Sequence, residues 1–188
     1  MPKFEFDEEK HLYTLDGRRL VSATECLSLV DDRWKDPYYL QRGKFLHLAR
    51  HLWDMGELDE STVDDQIRGR LEGWKKFRSD TGFVPSMSEQ FFYHPVYLYG
   101  FKFDVHGPLN DHEVLIDVKS SFARVDALQG AAYCAGLEAQ TPPIKCDKAF
   151  DIYLNKNGTY KLEPIKYIRS NFQTFLAVLT AYRWKEEI

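Results

Sequence analysis

"EVLIDVKSS", residues 113–121, places an aspartate and a lysine two positions apart inside an otherwise apolar run. A β-strand sends alternate side chains to opposite faces, so Val114, Ile116 and Val118 share one face, and Glu113, Leu115, Asp117 and Lys119 share the other. One face reads as core and the other carries a charged pair. Taking a carboxylate and an ammonium out of water costs several kcal/mol per ion, comparable to what their pairing returns, so a buried strand seldom holds such a pair without a reason. Taken alone, the stretch is explained as well by an edge strand whose solvated face happens to be charged. The surrounding chain has to decide.

The preceding segment, "EQFFYHPVYLYGFKFDVHG" (89–107), is rich in aromatic and β-branched residues and is separated from 113–121 by the turn-rich "PLNDH". The two runs predict an antiparallel hairpin. Asp104 lies 13 residues before Asp117, a spacing that brings both carboxylates to the same end of a sheet. Glu89 begins the run that feeds the first of these strands and is placed to reach the same point. Three converging carboxylates repel one another unless a divalent cation sits between them, and oxygen ligands suit Mg2+ or Mn2+. Lys119 adds a positive point charge and hydrogen-bond donors. Phosphodiester hydrolysis needs these parts: a cation that lowers the pKa of water and offsets charge on phosphate oxygens, and a second positive group aimed at the phosphorus. Asp-Val-Lys alone occurs often by chance, and the hairpin aspartate is what lends it weight.

Working outward, "HLYTL" and "RRLVS" flank Asp16-Gly17, a two-residue hairpin signal. A helix follows from Ser22 or Thr24, either of which suits a cap. From Pro37, Leu40, Phe45, Leu46, Ala49, Leu52 and Trp53 fit a helix ending near Gly56. Val63, Ile67, Leu71, Trp74 and Phe77 predict another over 61–80, capped by a serine or threonine. The N-terminal half therefore reads as helical. A helix over about Asp126–Gly136 precedes a second hairpin, "KAFDIYLN" and "TYKLEPI", turned at Asn157-Gly158. The last helix shows Phe172, Phe175, Leu176 and Leu179 on one side. This order predicts an α/β fold in which a small mixed central sheet is flanked by helices, with residues 1–188 forming a single domain.

Composition limits the function classes. At 188 residues and 44% hydrophobic content, with 15% aromatic, the chain can bury one real core. No stretch is long and apolar enough for a membrane span, and "MPKFEFDEEK" lacks the apolar centre of a signal peptide, so no membrane partner and a cytosolic location are expected. Cys26, Cys134 and Cys146 are odd in number and widely spaced, which predicts reduced packing residues rather than a disulfide framework or a zinc site. Asn157-Gly158-Thr159 matches a glycosylation sequon but reads as a tight turn. A net charge of −4 argues against a generally basic nucleic-acid coat, leaving a local patch or a bound metal as the means of holding DNA.

Asp104, then "IDVKSS", then "QGAAY" on the next helix, resembles the PD-(D/E)XK nuclease superfamily, and within it the RecB-like exonucleases. Members also carry a glycine and a histidine on an upstream helix, and "RGKFLH" supplies Gly43 and His47 at i and i+4. "HLYTLDGRRLVSATECL" is similar to the opening of phage-type and mitochondrial-type members, so the likeness runs from about His11 to Tyr133. The resemblance implies a restriction-endonuclease-like core. It further implies that Asp104, Asp117 and the Val118 carbonyl bind the catalytic Mg2+ or Mn2+, and that Lys119 orients the attacking water. His47 corresponds to a histidine that ligates a second or alternative metal ion, and Glu89 to an upstream acidic ligand. Gln129 and Tyr133 match a QxxxY motif that contacts DNA or steadies the lysine. Phe103 stands where the name-giving proline would be, as in many RecB-like members, and no four-cysteine pattern for an iron–sulfur cluster is present.

Each residue also has a plainer reading. His47 fits a satisfied, partly buried histidine, His51 a structural one, and His106, on Asp104's face by alternation, either the site or a solvated position. Gln129 and Tyr133 fit a helix surface. Arg42, Lys44, Arg50 and the "KKFR" run at 75–78 fit either a phosphate-tracking surface or ordinary solvated faces, and Trp34, Tyr38 and Tyr39 fit base stacking or core packing. The expected function is a metal-dependent deoxyribonuclease, an exonuclease acting on single- or double-stranded DNA ends in phage-type recombination, replication or repair. A strand-annealing or single-strand-binding protein is the expected partner by analogy. The alternatives are a structure-specific endonuclease of the same superfamily and a catalytically silent DNA-binding domain.

Overall fold

The computed structural model describes residues 2–31, 37–119 and 121–187, with residues 37–40 described as backbone only. Trp34 and the side chains of Tyr38 and Tyr39, considered for base stacking, lie outside the described residues. The architecture is mixed α/β, with two mixed five-stranded sheets and five helices among the described residues.

Three strands open the chain: β1 (Phe4–Asp7), β2 (Leu12–Leu15) and β3 (Arg18–Ser22). Asp16 and Gly17 both take positive φ, +50° and +76°, which lets the β2–β3 turn follow the strand twist. Ser22 caps α1 (Ala23–Leu27) through its side chain, and Glu25 reaches back to the Ser22 backbone as a capping box. The hairpin expected around Asp16-Gly17 is present as β2 and β3, and β1 adds a further strand ahead of the helices that fill the rest of the N-terminal half. Helix α2 (Pro37–Met55) buries Leu46 and Ala49, while Phe45 is half exposed. Helix α3 (Asp65–Thr81) is capped by Asp64, because Ser61 and Thr62 are taken up in a short 3-10 turn before it. It ends at Gly82 in the left-handed conformation.

The stretch 89–107 does not form one strand. After β4 (Met87–Ser88) come β5 (Phe91–Tyr93), β6 (Tyr99–Lys102) and β7 (Val105–Leu109), followed by β8 (His112–Lys119). His94 closes the β5–β6 turn by accepting from the Val96 and Tyr97 amides. The first sheet has the order β1-β2-β3-β6-β5; the second, completed by β9 (Lys148–Leu154) and β10 (Tyr160–Pro164), has the order β10-β9-β8-β7-β4. Asp104 lies where the chain leaves the first sheet for the second. In place of the single small sheet expected there are two, and the chain passes from β6 of the first to β7 of the second at this residue.

β8 is the central strand of the second sheet, so the edge-strand reading of "EVLIDVK" is overturned. Both of its faces are covered. Val114, Ile116 and Val118 pack with Leu46, Ala49, Ile67, Trp74 and Phe77 from α2 and α3. Leu115 packs on the other side with α1, with α4 (Asp126–Glu138) and with α5 (Ile168–Glu186). β9 runs parallel to β8, and β10 closes the second hairpin with Gly158 at φ +79°. No helix of the described residues is long and apolar enough to cross a membrane.

Cys134 and Cys146 are joined as a disulfide, with Cα atoms 5.6 Å apart, and Cys26 is free and buried. The expectation of three reduced cysteines is corrected for the first two. Their spacing of 12 residues carried no signal because the α4–β9 loop doubles back, with the Ile144 amide bonded to the Leu137 carbonyl.

Candidate metal centre and lysine site

The β7–β8 register pairs Val105 with Ile116, which sets Asp104 beside Asp117 at the end of both strands. Asp104 Oδ2 accepts from the Val118 amide at 2.6 Å, so the first carboxylate is tied to the strand that carries the second. The Asp104 carbonyl accepts from the Glu89 amide at 2.8 Å, which brings Glu89 to the same place. Glu89 follows β4 with φ +53°, an uncommon conformation for a non-glycine residue that turns its carboxylate inward.

His47 arrives from α2, with Nδ1 3.0 Å from Asp104 Oδ1 and 3.7 Å from Glu89 Oε1. Ligand atoms of His47, Glu89 and Asp104 all lie within 4.8 Å of one another. Burial alone drives the His47 imidazole down, but the two carboxylates outweigh it and hold its pKa up at about 10. Burial raises the Asp104 carboxyl, and His47 more than offsets this, leaving it well below the usual carboxylate range. Asp117 goes the other way: burial pushes its carboxyl well up, Lys119 opposes, and the Asp104 charge adds to the rise. Opposite shifts on two adjacent carboxylates are the mark of a strongly coupled pair at close range. A divalent cation between them would offset their repulsion.

Lys119 Nζ lies 2.5 Å from Asp117 Oδ2, and both side chains are buried. The ammonium donates to Gln129 Oε1 at 2.7 Å and sits 3.7 Å from Asp126 Oδ1. Gln129 Nε2 donates in turn to the Tyr133 hydroxyl at 2.7 Å. Burial opposes the charge on Lys119, but Asp117, Asp126 and Asp151 prevail and raise its pKa. Gln129 and Tyr133 are buried and contact the lysine chain, so the helix-surface reading of them is corrected.

The expected site residues fall into two contiguous groups, His47–Glu89–Asp104 and Asp117–Lys119–Gln129–Tyr133, joined where Asp104 meets Asp117. The Val118 side chain is in the core on the opposite face, so only its backbone faces this junction. Gly43 lies one turn before His47, and a methyl group there would meet nothing within 4 Å, so packing does not require glycine at that position. His51 bonds Ser88 at 2.9 Å and is peripheral. His106 is buried, with Nε2 2.7 Å from the Lys145 carbonyl, so it neither lines the site nor faces solvent.

Four further residues belong here. Arg50, fully buried, pairs with Asp54 and Glu89 and donates to the Asp104 carbonyl at 3.3 Å. It is therefore no phosphate-tracking surface residue. The "KKFR" run is likewise neutralised, Lys75 by Glu60 and Glu72, Lys76 by Asp80 and Arg78 by Asp54. Lys102 pairs with Glu89 at 3.2 Å. Asp126 and Asp151 surround Lys119. Asp151 had a signal in the sequence, since "AFDIYL" repeats the motif of a carboxylate inside an apolar strand. Arg50 had none, because nothing in "HLARHL" marks which face of the helix is covered.

An imidazole and two carboxylates, with Asp117 adjoining, form a donor set able to hold a divalent cation. The chain matches no protein-family model and no curated protein, so the reading of this site rests on the geometry itself.

Proposed function

We propose that the chain is a divalent-metal-dependent deoxyribonuclease with a restriction-endonuclease-like core, hydrolysing phosphodiester bonds at DNA ends. The observation that carries this reading is the junction of Asp104 and Asp117 on adjoining strands, with Lys119 against Asp117 and with His47 and Glu89 against Asp104. His47, Glu89, Asp104 and Asp117 would hold the cation, with the Val118 carbonyl as a backbone ligand. The bound cation supplies activation of water and neutralises charge on the phosphate oxygens.

The protein groups do the rest. Lys119, kept charged by its acidic neighbours and aimed by Gln129, stabilises negative charge developing on the phosphate. Arg50 fixes Glu89 and the Asp104 backbone against α2, so the ligands are ordered before a substrate arrives. Water adding to phosphorus in line with the leaving 3′-oxygen would yield a 5′-phosphate and a 3′-hydroxyl. A strand-annealing or single-strand-binding protein is the proposed partner class.

The deciding experiment follows end-labelled linear DNA, single- and double-stranded, beside a covalently closed circle, with Mg2+, Mn2+ or EDTA. Loss of linear DNA only with metal, and none with Lys119→Ala, is expected. Cutting of the circle would move the reading to an endonuclease. Absence of any cutting would leave a catalytically silent DNA-binding domain.

A further inference from the structure

The sheet face that carries Asp117 and Lys119 continues past β8. Register pairs Asp117 with Asp151 and Lys119 with Tyr153 on β9, and these with Glu163 and Lys161 on β10. Cross-strand partners share a face, so two rows run outward from the site to the sheet edge. One is Lys119, Tyr153, Lys161; the other is Asp117, Asp151, Glu163. An open groove of about 960 Å³ lies over their outer part, bordered by Phe122 and Arg124 before α4 and by Lys166 and Tyr167 before α5.

The groove combines exposed rings with unneutralised cations. Phe122 is 76% exposed, its ring 6.5 Å from that of Tyr153. Tyr167 is 80% exposed and held at φ +56°, a left-handed conformation that a bulky residue rarely adopts and that concentrates where ligands bind. Lys161 is paired with Glu163, whereas Arg124 and Lys166 have no carboxylate partner among the described residues. On the groove floor Asp151, 6% exposed, leaves Oδ1 without a hydrogen-bond partner. Buried polar groups nearly always find one, and nucleobase edges carry suitable N–H donors.

Starting from the nuclease site proposed above, we propose that this groove binds single-stranded nucleic acid, seating the strand beside the scissile phosphate. Unpaired bases stack on Phe122, Tyr153 and Tyr167, while Arg124 and Lys166 meet phosphates. A duplex keeps its base faces stacked inside and offers none to these rings. In a chain of net charge −4, an aromatic groove with free cations next to the lysine site is a local means of holding a polyanion.

The test is fluorescence anisotropy of a labelled mixed-sequence single strand of about 12 nucleotides, and of the matching duplex, with the full chain in EDTA and in calcium. Wild type is expected to prefer the single strand. Phe122→Ala and Arg124→Glu, both at exposed positions, should each weaken it about tenfold, leaving duplex affinity unchanged. Absence of binding in both buffers, a preference for duplex, or equal binding by the variants would overturn the inference. Cleavage in Mg2+ or Mn2+ is read in parallel. Cleavage with no effect of either substitution on binding discards the groove and keeps the nuclease. Groove-dependent binding without any cleavage keeps the groove and discards the nuclease.

Discussion

Lys119 is aimed by its neighbours, among them Gln129, which accepts from the ammonium at 2.7 Å. Gln129→Ala leaves the charge in place but removes the acceptor that orients it. Cleavage should fall by at least about tenfold, with the circular dichroism spectrum unchanged. Asp151 offers a separate test through stability. Burial holds its carboxyl at about pKa 7 despite the opposing pull of Lys119, above the ordinary value of 3.8. As pH rises from about 4 to 7 the unfolded chain therefore gives up this proton first, and the fold loses stability across that window. Asp151→Asn removes the titration, so urea midpoints at pH 5 and pH 8 should lie closer together in the variant than in wild type.

At the scale of elements, α2 is fastened to the site by one guanidinium. Arg50 is fully buried between Asp54 and Glu89, and Asp54 also receives Trp74 Nε1 at 3.0 Å from α3. Arg50→Ala takes a buried partner from both carboxylates, although Arg78 still meets Asp54 and Lys102 still meets Glu89. The cost should therefore lie toward the lower end of the roughly 3–5 kcal/mol for breaking a buried pair from one side. Urea unfolding should show a loss of that order. Helix α3 meets the β9–β10 turn at Gly69, where an added methyl would lie 1.8 Å from the Lys156 carbonyl oxygen. Helix propensity favours alanine by about 1 kcal/mol, but the clash is with backbone that has little room to yield. Gly69→Ala should therefore lower the melting temperature, whereas Gly43→Ala, facing open space, should not.

Across the whole molecule the candidate metal centre joins parts that are distant in the chain: α2, the segment after β4, and the crossing between the two sheets. A cation that relieves the repulsion between these carboxylates binds the folded state alone and stabilises all three parts together. With ion at about a hundredfold excess over its dissociation constant, the gain is about 2.7 kcal/mol. Thermal unfolding with Mn2+ should therefore shift upward, EDTA should reverse the shift, and Asp104→Asn should abolish it.

The strands around Asp16-Gly17 and Asn157-Gly158, the helices over 37–55 and 126–138, and the partition of β8 side chains between two faces were all determined by local rules. Turn residues set φ, and hydrophobic spacing set the helical or strand period. Asp104, Asp117 and Lys119 were legible for the same reason, since charges inside apolar strand runs stand out against period-two alternation. Three features were decided only by the tertiary structure: that β8 is central, that Arg50 is buried rather than facing solvent, and that Asp126 and Asp151 close around Lys119. Burial of a charge depends on which element covers it, and pairing depends on groups brought together from far along the chain. Neither quantity has a period or a spacing that a one-dimensional pattern records.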